Sequence, residues 1–379
     1  MSDQIRGELE ANNLFVKHQA LLDSLTKSRT QAKSDSILTI PVVFHILHRI
    51  PSDSISIAQV FTQLDVLNKD FRKLNHDTTN VESGFSTVDS KIEFCIAKRD
   101  PDDEFTGGIV YYRTTIDDIG NRIANPNAID SIIKVAPIWD RDRYLNIWVC
   151  DAGPNLAGFA YPPGSPASID GVVISNLNFG TIGNNDANFD LGRTATHEVG
   201  HWLNLIHPWG TFPSCNNDDR VGDTPSQDVI YSGCPSPPQS SCNSKDMLSN
   251  FMGYVYDRCM GNFTQGQSTR MRTALENSRK KILQSKGCLT TSLRENKLAQ
   301  QLTLYPNPAQ DQLTIKIPQE FRNETLELSI LNIDGRRLAL ETKELSIGYQ
   351  LNIRSLPKGI YFIKVLGIDF DLTKKLIKH

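Results

Sequence analysis

The segment HEVGHWLNLIH, residues 197–207, restricts the fold of this 379-residue chain more than any other part of it. His197 and His201 are four residues apart, so a helix places both side chains on one face, one turn apart. A continuing helix could not bring His207 to the same point, so the chain must turn back after His201. Asn204 suits that turn, because Asn adopts the left-handed conformation more readily than any residue except Gly.

This spacing predicts a zinc site, because two neutral imidazoles one turn apart can bind one zinc ion. His207 would complete three nitrogen ligands and leave one position open, as in catalytic zinc sites. Glu198 is rotated beside the metal, where a general base can take the proton of a water that attacks a carbonyl. The alternatives are buried histidines in a core and a structural zinc site, which would be closed by a fourth protein ligand and would need no base.

Composition divides the chain into two parts. The seven cysteines all lie between Cys95 and Cys288, the four tryptophans all lie between Trp139 and Trp209, and residues 289–379 contain neither. The formal net charge of −3 excludes an overall basic surface that would bind nucleic acid. No apolar run approaches the roughly 18 residues of a membrane helix, so we predict no transmembrane segment.

Hydrophobic patterns predict an α+β domain followed by an all-β domain. Up to residue 288, strand patterns at 37–47, 91–97, 144–150, 158–163 and 171–175 alternate with helical patterns at 57–74 and 127–135. Residues 301–379 are period-two segments separated by turn signals, which predicts a small Ig-like β-sandwich. Residues 289–300 read as a linker. Residues 1–36 read as a polar helix and a linker, or as a pro-segment.

Several segments resemble one family of zinc peptidases. HEVGHWLNLIH resembles the extended zinc motif of the metzincins, with Asn204 where most of them have Gly. SNFMGYVYDRCMGNFTQGQSTRMR, residues 249–272, resembles the Met-turn region of the pappalysin family, peptidase family M43, and IPVVFHILH, QLDVLNKDFR and YLNIWV are similar to it as well. The resemblance covers about residues 37–288. It implies a metzincin domain with a twisted mixed sheet, an active-site helix and a loop-rich C-terminal subdomain.

The resemblance also implies roles for individual residues. His197, His201 and His207 would bind zinc, and Glu198 would be the general base and acid. Met252 would form an apolar floor beneath the metal, and Tyr254 would stabilise the developing oxyanion; an ordinary core methionine and a packing tyrosine are the alternatives.

Two structural features follow from the same resemblance. It implies the disulfides Cys215–Cys242 and Cys234–Cys259, although four cysteines allow three connectivities, and it leaves Cys95, Cys150 and Cys288 unassigned. In the loop CNNDDRVGDTP, residues 215–225, the hard oxygens of Asp218, Asp219, Asp223 and Thr224 suit calcium, with Asp219 and Thr224 as the main candidates. A solvated acidic loop is the alternative.

The function that follows is a secreted zinc endopeptidase that hydrolyses peptide bonds of proteins. A peptide substrate can add as a strand to a sheet edge, for which residues 157–161 are the candidate. Asp257 could face a basic side chain after the scissile bond, unless Arg258 beside it neutralises the effect. The alternative function is a catalytically inactive surface-binding or adhesion protein that retains the fold; the intact Glu198 argues against it.

The tail and the amino terminus bear on location and latency. LYPNP (304–308), LPKGIYFIKV (356–365) and KKLIKH (374–379) resemble the C-terminal sorting domain of type IX secretion cargo in Bacteroidetes. That implies the type IX machinery as a partner and a secreted or cell-surface location reached through the periplasm; an adhesion module is the alternative. The cysteine-rich loops agree with export. Residues 1–7 lack a signal peptide, so we expect that signal to lie outside this numbering.

Several pappalysin-like enzymes resemble zymogens in which a pro-segment cysteine plugs the zinc. No cysteine precedes Cys95 here. Latency through residues 1–36 would therefore need another ligand, such as the carboxylate of Asp3, Glu8, Glu10 or Asp23. Equally, residues 1–36 could have no inhibitory role.

Overall fold

The computed structural model describes residues 2–29, 36–289, 301–322, 326–332, 337–338, 341–367 and 371–379. The chain divides into two units, residues 1–97 with 109–288, and residues 98–108 with 289–379. The linker predicted at 289–300 lies, apart from Leu289, outside the described residues.

A mixed sheet is the frame of the first unit. Its strands are β1 (Leu38–His48), β2 (Ile92–Ile96), β3 (Ile109–Arg113), β4 (Leu145–Cys150), β5 (Gly158–Ala160) and β6 (Val172–Ser175). The order is β2-β1-β4-β6-β5, with β3 also paired to β1. Only β5 runs antiparallel to its neighbour, and it lies at the sheet edge, as predicted for residues 157–161. The long apolar run of β1 suits a central strand that is covered on both faces.

Six α-helices accompany this sheet among the described residues: α1 (Ser2–Glu10), α2 (Asn13–Ser28), α3 (Ile57–Phe71), α4 (Ala128–Val135), α5 (Arg193–Trp202) and α6 (Gln265–Asn277). The single helix predicted for the amino terminus is wrong. The side chain of Asn12 accepts the amide of Leu14 and begins a second helix, because Asn caps a helix start better than it continues one. α3 packs against β2 and α5, and α2 packs against α6.

The region after α5 consists mainly of loops with four short strands: β7 (Ser232–Gly233), β8 (Ser240–Ser241), β9 (Ser244–Lys245) and β10 (Tyr254–Val255). The structure forms both disulfides that the resemblance implies, Cys215–Cys242 and Cys234–Cys259. It also joins Cys95 to Cys288 and leaves Cys150 free and buried. These crosslinks restrain loops that have little apolar surface to bury.

The second unit is all-β in its described part. Its strands are β11 (Thr303–Tyr305), β12 (Gln312–Lys316), β13 (Glu327–Leu331), β14 (Arg337–Leu338), β15 (Thr342–Leu345), β16 (Gly348–Asn352), β17 (Gly359–Leu366) and β18 (Asp371–Lys378). They form two antiparallel four-stranded sheets, β11-β12-β16-β15 and β14-β13-β17-β18. Leu313, Ile315, Ile363 and Leu376 are among its buried core residues. The all-β prediction is confirmed, whereas the Ig-like arrangement remains a prediction.

Within the residues described, no helix has both the length and the apolar character needed to cross a bilayer.

Candidate active site

Helix α5 is entirely buried and ends in the predicted turn. It begins after Gly192, whose φ is 74°, and the Asp257 carboxylate caps it by accepting the amides of Leu191 and Arg193 at 2.9 and 3.1 Å. Asn204 has φ 79°, the left-handed conformation predicted for it. The amide of Leu205 then bonds back to the carbonyl of Gly200 at 2.9 Å, which closes the turn and redirects the chain.

The three histidines converge through their Nε2 atoms. The Nε2 atoms of His197, His201 and His207 lie 3.0 to 3.1 Å from one another. Each Nδ1 faces an acceptor: the carbonyl of Phe251 for His197, the carbonyl of Leu205 for His201 and a carboxylate for His207. Since Nδ1 therefore carries the proton in the neutral ring, Nε2 has a lone pair and no proton to donate.

This donor set fits zinc. Three lone pairs that point at one another have no hydrogen bond to make, so a cation between them satisfies all three. Nitrogen ligands about 2.0–2.1 Å from a tetrahedral zinc would be about 3.3 Å apart, close to the spacing observed. Burial lowers the pKa of His197 to about 3 and that of His201 and His207 well below the usual value, which keeps the rings neutral as ligands must be.

Glu198 lies beside this cluster on the same helix. Its side chain is buried, and burial raises its pKa to about 7. Its Oε2 accepts a hydrogen bond from the Ser2 hydroxyl at 2.8 Å, and that hydroxyl also accepts the amide of Ala160 in β5 at 3.0 Å. A carboxylate with such a pKa can both take and return a proton near neutral pH.

Met252 packs against α5, and Tyr254 packs against the histidine rings. Met252 is fully buried, and a Cβ built on Gly200 would come 2.5 Å from its Sδ, so a larger residue there would require Met252 to shift. The ring centroid of Tyr254 lies 5.6 Å from that of His197 and 4.7 Å from that of His207, and 38% of the residue is exposed. Burial around the phenol raises its pKa above the usual value, so Tyr254 remains a hydrogen-bond donor.

A cavity of about 400 Å³ opens beside Glu198. Its lining includes Leu156, Phe189, Val255 and Met260 together with the charged residues Arg193 and Asp257. Asp257 is 1% exposed, and burial raises its pKa to about 6. Its Oδ2 caps α5, whereas its Oδ1 has no hydrogen-bond partner among the described residues.

Arg258, which we considered as a neutralising charge, points elsewhere. Its guanidinium lies 4.9 Å from the ring centre of Tyr256, and its Nη1 is 3.5 Å from Asn188. The cation that faces Asp257 is instead Arg193, which tends to lower the pKa of that carboxyl. The charge that acts on Asp257 is therefore that of Arg193 and not that of its sequence neighbour.

The start of α1 contacts the active-site residues. Ser2 contacts Glu198, and Asp3 Oδ2 lies 2.5 Å from Nδ1 of His207. Arg6 is 3% exposed and donates to Gln19 at 3.1 Å and to Asn204 Oδ1 at 3.2 Å.

In the described arrangement no carboxylate of this segment joins the histidine cluster, so a carboxylate ligand stays a prediction. Asp3 bonds the ring nitrogen of His207 that faces away from the Nε2 cluster, Glu8 pairs with Arg122, and Asp23 pairs with Arg270. Among the described side chains, the cluster that could hold a metal here contains the three histidines and no carboxylate from residues 2–29.

The acidic loop after the zinc motif is organised differently from a cluster of free carboxylates. Asp219 is 1% exposed and bonds the Thr224 hydroxyl at 2.7 Å and the amide of Val221 at 3.0 Å. Burial raises the pKa of Asp219 to about 8. Asp223 is engaged elsewhere, since it bonds the hydroxyl of Thr264 at the start of α6. Asp219 and Thr224 thus remain the candidate pair for calcium.

Sequence reasoning missed Ser2, Arg6 and the charged residues behind the cavity. Ser2 and Glu198 are separated by 196 residues, and no local pattern relates them. Arg193 stands four residues before the first zinc-motif histidine, and a charge on a buried helix needs a partner.

Comparisons with known proteins agree with this site. A family model described as Peptidase M43, pregnancy-associated plasma protein-A, matches residues 127–276, and one described as a secretion system C-terminal sorting domain matches residues 303–379. An extracellular metalloprotease of Arthroderma otae is 40% identical over 139 residues, 34% of this chain and 50% of its own. One of Uncinocarpus reesii is 42% identical over 135 residues, 34% of this chain and 46% of its own. The chain spans about half the length of the curated relatives it matches.

Two solved structures of Tannerella forsythia proteins are similar over a longer range. Mature mirolysin in complex with a cleaved peptide is 38% identical with a TM-score of 0.60, covering 66% of this chain and 96% of its own. A promirolysin mutant is 35% identical with a TM-score of 0.65, covering 74% of this chain and 94% of its own. Fold and site together define a metallopeptidase domain of the metzincin class. The chain belongs to the M43, or pappalysin, family and has a type IX secretion sorting tail.

Proposed function

We propose that this protein is a secreted zinc endopeptidase that hydrolyses peptide bonds of proteins. The observation that supports this most is the convergence of three proton-free Nε2 atoms 3.0 to 3.1 Å apart, with the carboxylate of Glu198 beside them. An adhesion protein that merely kept the fold would need no buried base next to the metal ligands.

The histidines would hold zinc, which, when bound, supplies a Lewis acid that polarises a carbonyl and acidifies water. Glu198 takes the proton of the attacking water and returns it to the leaving amine, and burial, which raises its pKa, favours that return. Tyr254 donates its phenol proton in a hydrogen bond to the oxygen on which negative charge develops. Met252 packs under α5 and thereby fixes the position of the histidine rings.

We place the substrate along the edge strand β5. The amide of Ala160 bonds the Ser2 hydroxyl, so this backbone donor is available to a peptide once residue 2 has left. The side chain after the scissile bond would enter the cavity beside Glu198. There Asp257, with its unpartnered Oδ1, favours lysine or arginine.

We also propose that residues 1–36 are a pro-segment that blocks this cleft. Ser2 sits between the base and the edge strand, where a substrate would lie. The match to promirolysin covers 8% more of this chain than the match to mature mirolysin, about 30 residues, which is close to the length of this segment. Residues 301–379 would be read by the type IX machinery and carry the enzyme through the periplasm to the cell surface or beyond.

Calcium at Asp219 and Thr224 is a further part of this proposal. Asp219 is buried, burial raises its pKa to about 8, and it forms no salt bridge among the described residues; a bound cation would stabilise its carboxylate form. Calcium should raise the melting temperature of the wild-type chain and not that of Asp219→Asn, while Asp218→Asn, on the exposed side of the loop, should respond like wild type. An equal response of all three chains would reject the site.

The experiment that tests the function is a peptide-library digest read by mass spectrometry. Wild type, chelator-treated wild type, Glu198→Ala and the exposed control Glu104→Ala are compared, each before and after a brief trypsin treatment that cuts between residues 27 and 36 and is then quenched. We expect cleavage by trimmed wild type and trimmed Glu104→Ala alone.

Cleavage by Glu198→Ala or by the chelated sample would refute the mechanism. Bound zinc without cleavage, before and after trimming, would favour the adhesion alternative. Full activity of the untrimmed chain would reject latency and leave the peptidase function intact.

A further inference from the structure

The cavity beside Glu198 contains two buried charges of opposite sign that do not pair with each other. Among the residues that the structure describes, neither Asp257 Oδ1 nor Arg193 Nη1 has a hydrogen-bond partner, although both residues line the same cavity. A carboxylate and a guanidinium so placed would ordinarily form a salt bridge, because each buried charge is costly without a partner. Something must therefore hold Arg193 away from Asp257.

Two other carboxylates do so. Arg193 Nε lies 3.0 Å from Oδ2 of Asp70, and its Nη2 lies 2.5 Å from Oδ2 of Asp77. Asp70 comes from α3 and is 2% exposed, and it also accepts the hydroxyl of Thr196 in α5 at 2.7 Å. The guanidinium is thereby fixed over the ring of Phe251, 5.1 Å from its centre.

We propose that Asp70 and Asp77 are specificity-determining positioning residues, which hold the Arg193 guanidinium away from Asp257 so that Asp257 stays free to receive a basic substrate side chain. This inference rests on the proposed preference for a basic residue after the scissile bond. Neither aspartate touches the substrate; both act through Arg193. Without them Arg193 would turn to Asp257 and close the cavity to cations.

The segment that carries Asp77 also braces the cavity wall. Asn80 donates to the carbonyls of Arg258 and Met260 at 2.8 and 3.1 Å, and Asn75 donates to that of Gly261 at 3.1 Å. A change in this segment can therefore alter the shape of the cavity as well as its charge. The two effects can be told apart by measurement. A change of shape weakens the binding of charged and neutral ligands alike, whereas a change of charge alters the ratio of their dissociation constants.

Binding of small probes to the untrimmed full chain tests the proposal without requiring catalysis. None of the described residues of α1 lines the cavity, so it is open beside that helix. The probes are n-butylguanidinium and its neutral isostere n-butylurea, with dissociation constants measured by ligand-observed NMR. The variants are Asp77→Asn, whose side chain is 32% exposed and tolerates replacement, and Arg193→Gln, with and without Asp77→Asn.

Two control variants separate the causes. Asp65→Asn removes the same charge from an exposed position of α3, and Asn80→Ala loosens the cavity wall without a change of charge. We expect Asp77→Asn to reduce the preference for guanidinium over urea by about tenfold, the scale of discrimination by one charged contact, and both controls to keep it. In the Arg193→Gln background, Asp77→Asn should have no further effect on the ratio.

The outcomes distinguish the two proposals. A wild-type preference for guanidinium that survives Asp77→Asn overturns the role of the aspartates and leaves the basic preference standing. Equal binding of both probes by wild type overturns both. A drop in Asp65→Asn equal to that in Asp77→Asn would mean a general charge effect and would also overturn the inference.

Discussion

The replacement Asp23→Asn should release the amino-terminal segment from the cleft. Asp23, on α2, binds Arg270 through Oδ1 at 2.6 Å and Arg220 through Oδ2 at 2.9 Å. The Arg270 side chain is 1% exposed, so most of the pair lies away from water. When the segment leaves, Arg270 becomes hydrated, and the variant therefore penalises only the docked state.

The magnitude follows from burial. Breaking a fully buried ion pair costs about 3–5 kcal/mol, because one charge is left without a partner. Asp23 is 19% exposed, and Asn retains one acceptor for Arg270, so we expect about 2 kcal/mol. That weakens docking by about 30-fold. The activity of the untrimmed chain should rise by the same factor, until the open form is no longer rare.

The pH dependence has a defined sign. Burial alone would raise the pKa of Asp23, but Arg270 and Arg220 outweigh it and hold the pKa below its usual value. The stabilisation of docking is therefore complete above the usual Asp pKa of about 4 and is lost as the pH falls through the lowered value. Acid should therefore weaken docking of the segment in untrimmed wild type and should change docking in the Asp23→Asn chain much less.

The assay is the initial rate on a quenched fluorescent peptide for untrimmed and trimmed chains. The control is Asp65→Asn, an exposed aspartate on another helix. Equal rates for untrimmed wild type and untrimmed Asp23→Asn would refute the reasoning. So would an increase that persists in the trimmed chains, since the variant would then act on the active site itself and not on docking.

Three further predictions concern stability. Chelation should lower the melting temperature, and added zinc should restore it. At a free zinc concentration one hundred times the dissociation constant, binding should add about 2.7 kcal/mol to the unfolding free energy. An unchanged melting temperature would contradict the metal site. Gly200→Ala should destabilise the fold by about 1–3 kcal/mol, because its Cβ would lie 2.5 Å from Met252. Gly7→Ala, with open space around it, should not destabilise the fold. Equal melting curves for the two variants would show that Met252 moves aside at little cost. Burial lowers the pKa of His45 to about 4, so between pH 7 and pH 4 the imidazole gains a proton mainly in the unfolded chain. The unfolding free energy of wild type should therefore fall by about 3 kcal/mol over this range, relative to that of His45→Phe. Denaturant titrations at both pH values measure this difference. An equal fall for wild type and His45→Phe would exclude His45 as the cause. The control is His48→Phe, because His48 lies on the same strand but is only partly buried.

The histidine cluster could be predicted from the sequence, because its residues lie on one turn of helix and on the chain reversal that follows it. His197, His201 and Asn204 are specified by their spacing, and the reversal brings His207 back to them. The contacts of Ser2 with Glu198 could not be predicted, because they depend on how two elements 196 residues apart pack together. The resemblance gave a position for Asp257 but not its second task as the cap of α5.

The same limit applies to the framework around the site. Apolar runs and helical patterns predicted β1, β2, β4, β5, β6, α3 and α4 of the first unit, whereas β3 and α6 were not predicted. The bond between Cys95 and Cys288 spans 193 residues and follows only from the packing of β2 against the end of the unit. Asp70 and Arg193 show no pattern either, because a buried ion pair between α3 and α5 has no period along the chain.

Asn204 and Arg6 together explain how the segment can be held and yet remain removable. Glycine would serve the turn at position 204 equally well, but only asparagine offers a side-chain oxygen to the buried Arg6. That guanidinium meets two neutral amide oxygens, of Asn204 and Gln19, and burial lowers its pKa to about 9. A buried cation with neutral partners is oriented well but stabilised little. Arg6 therefore orients the segment more than it stabilises docking, to which the ion pairs of Asp23 with Arg270 and of Glu8 with Arg122 contribute.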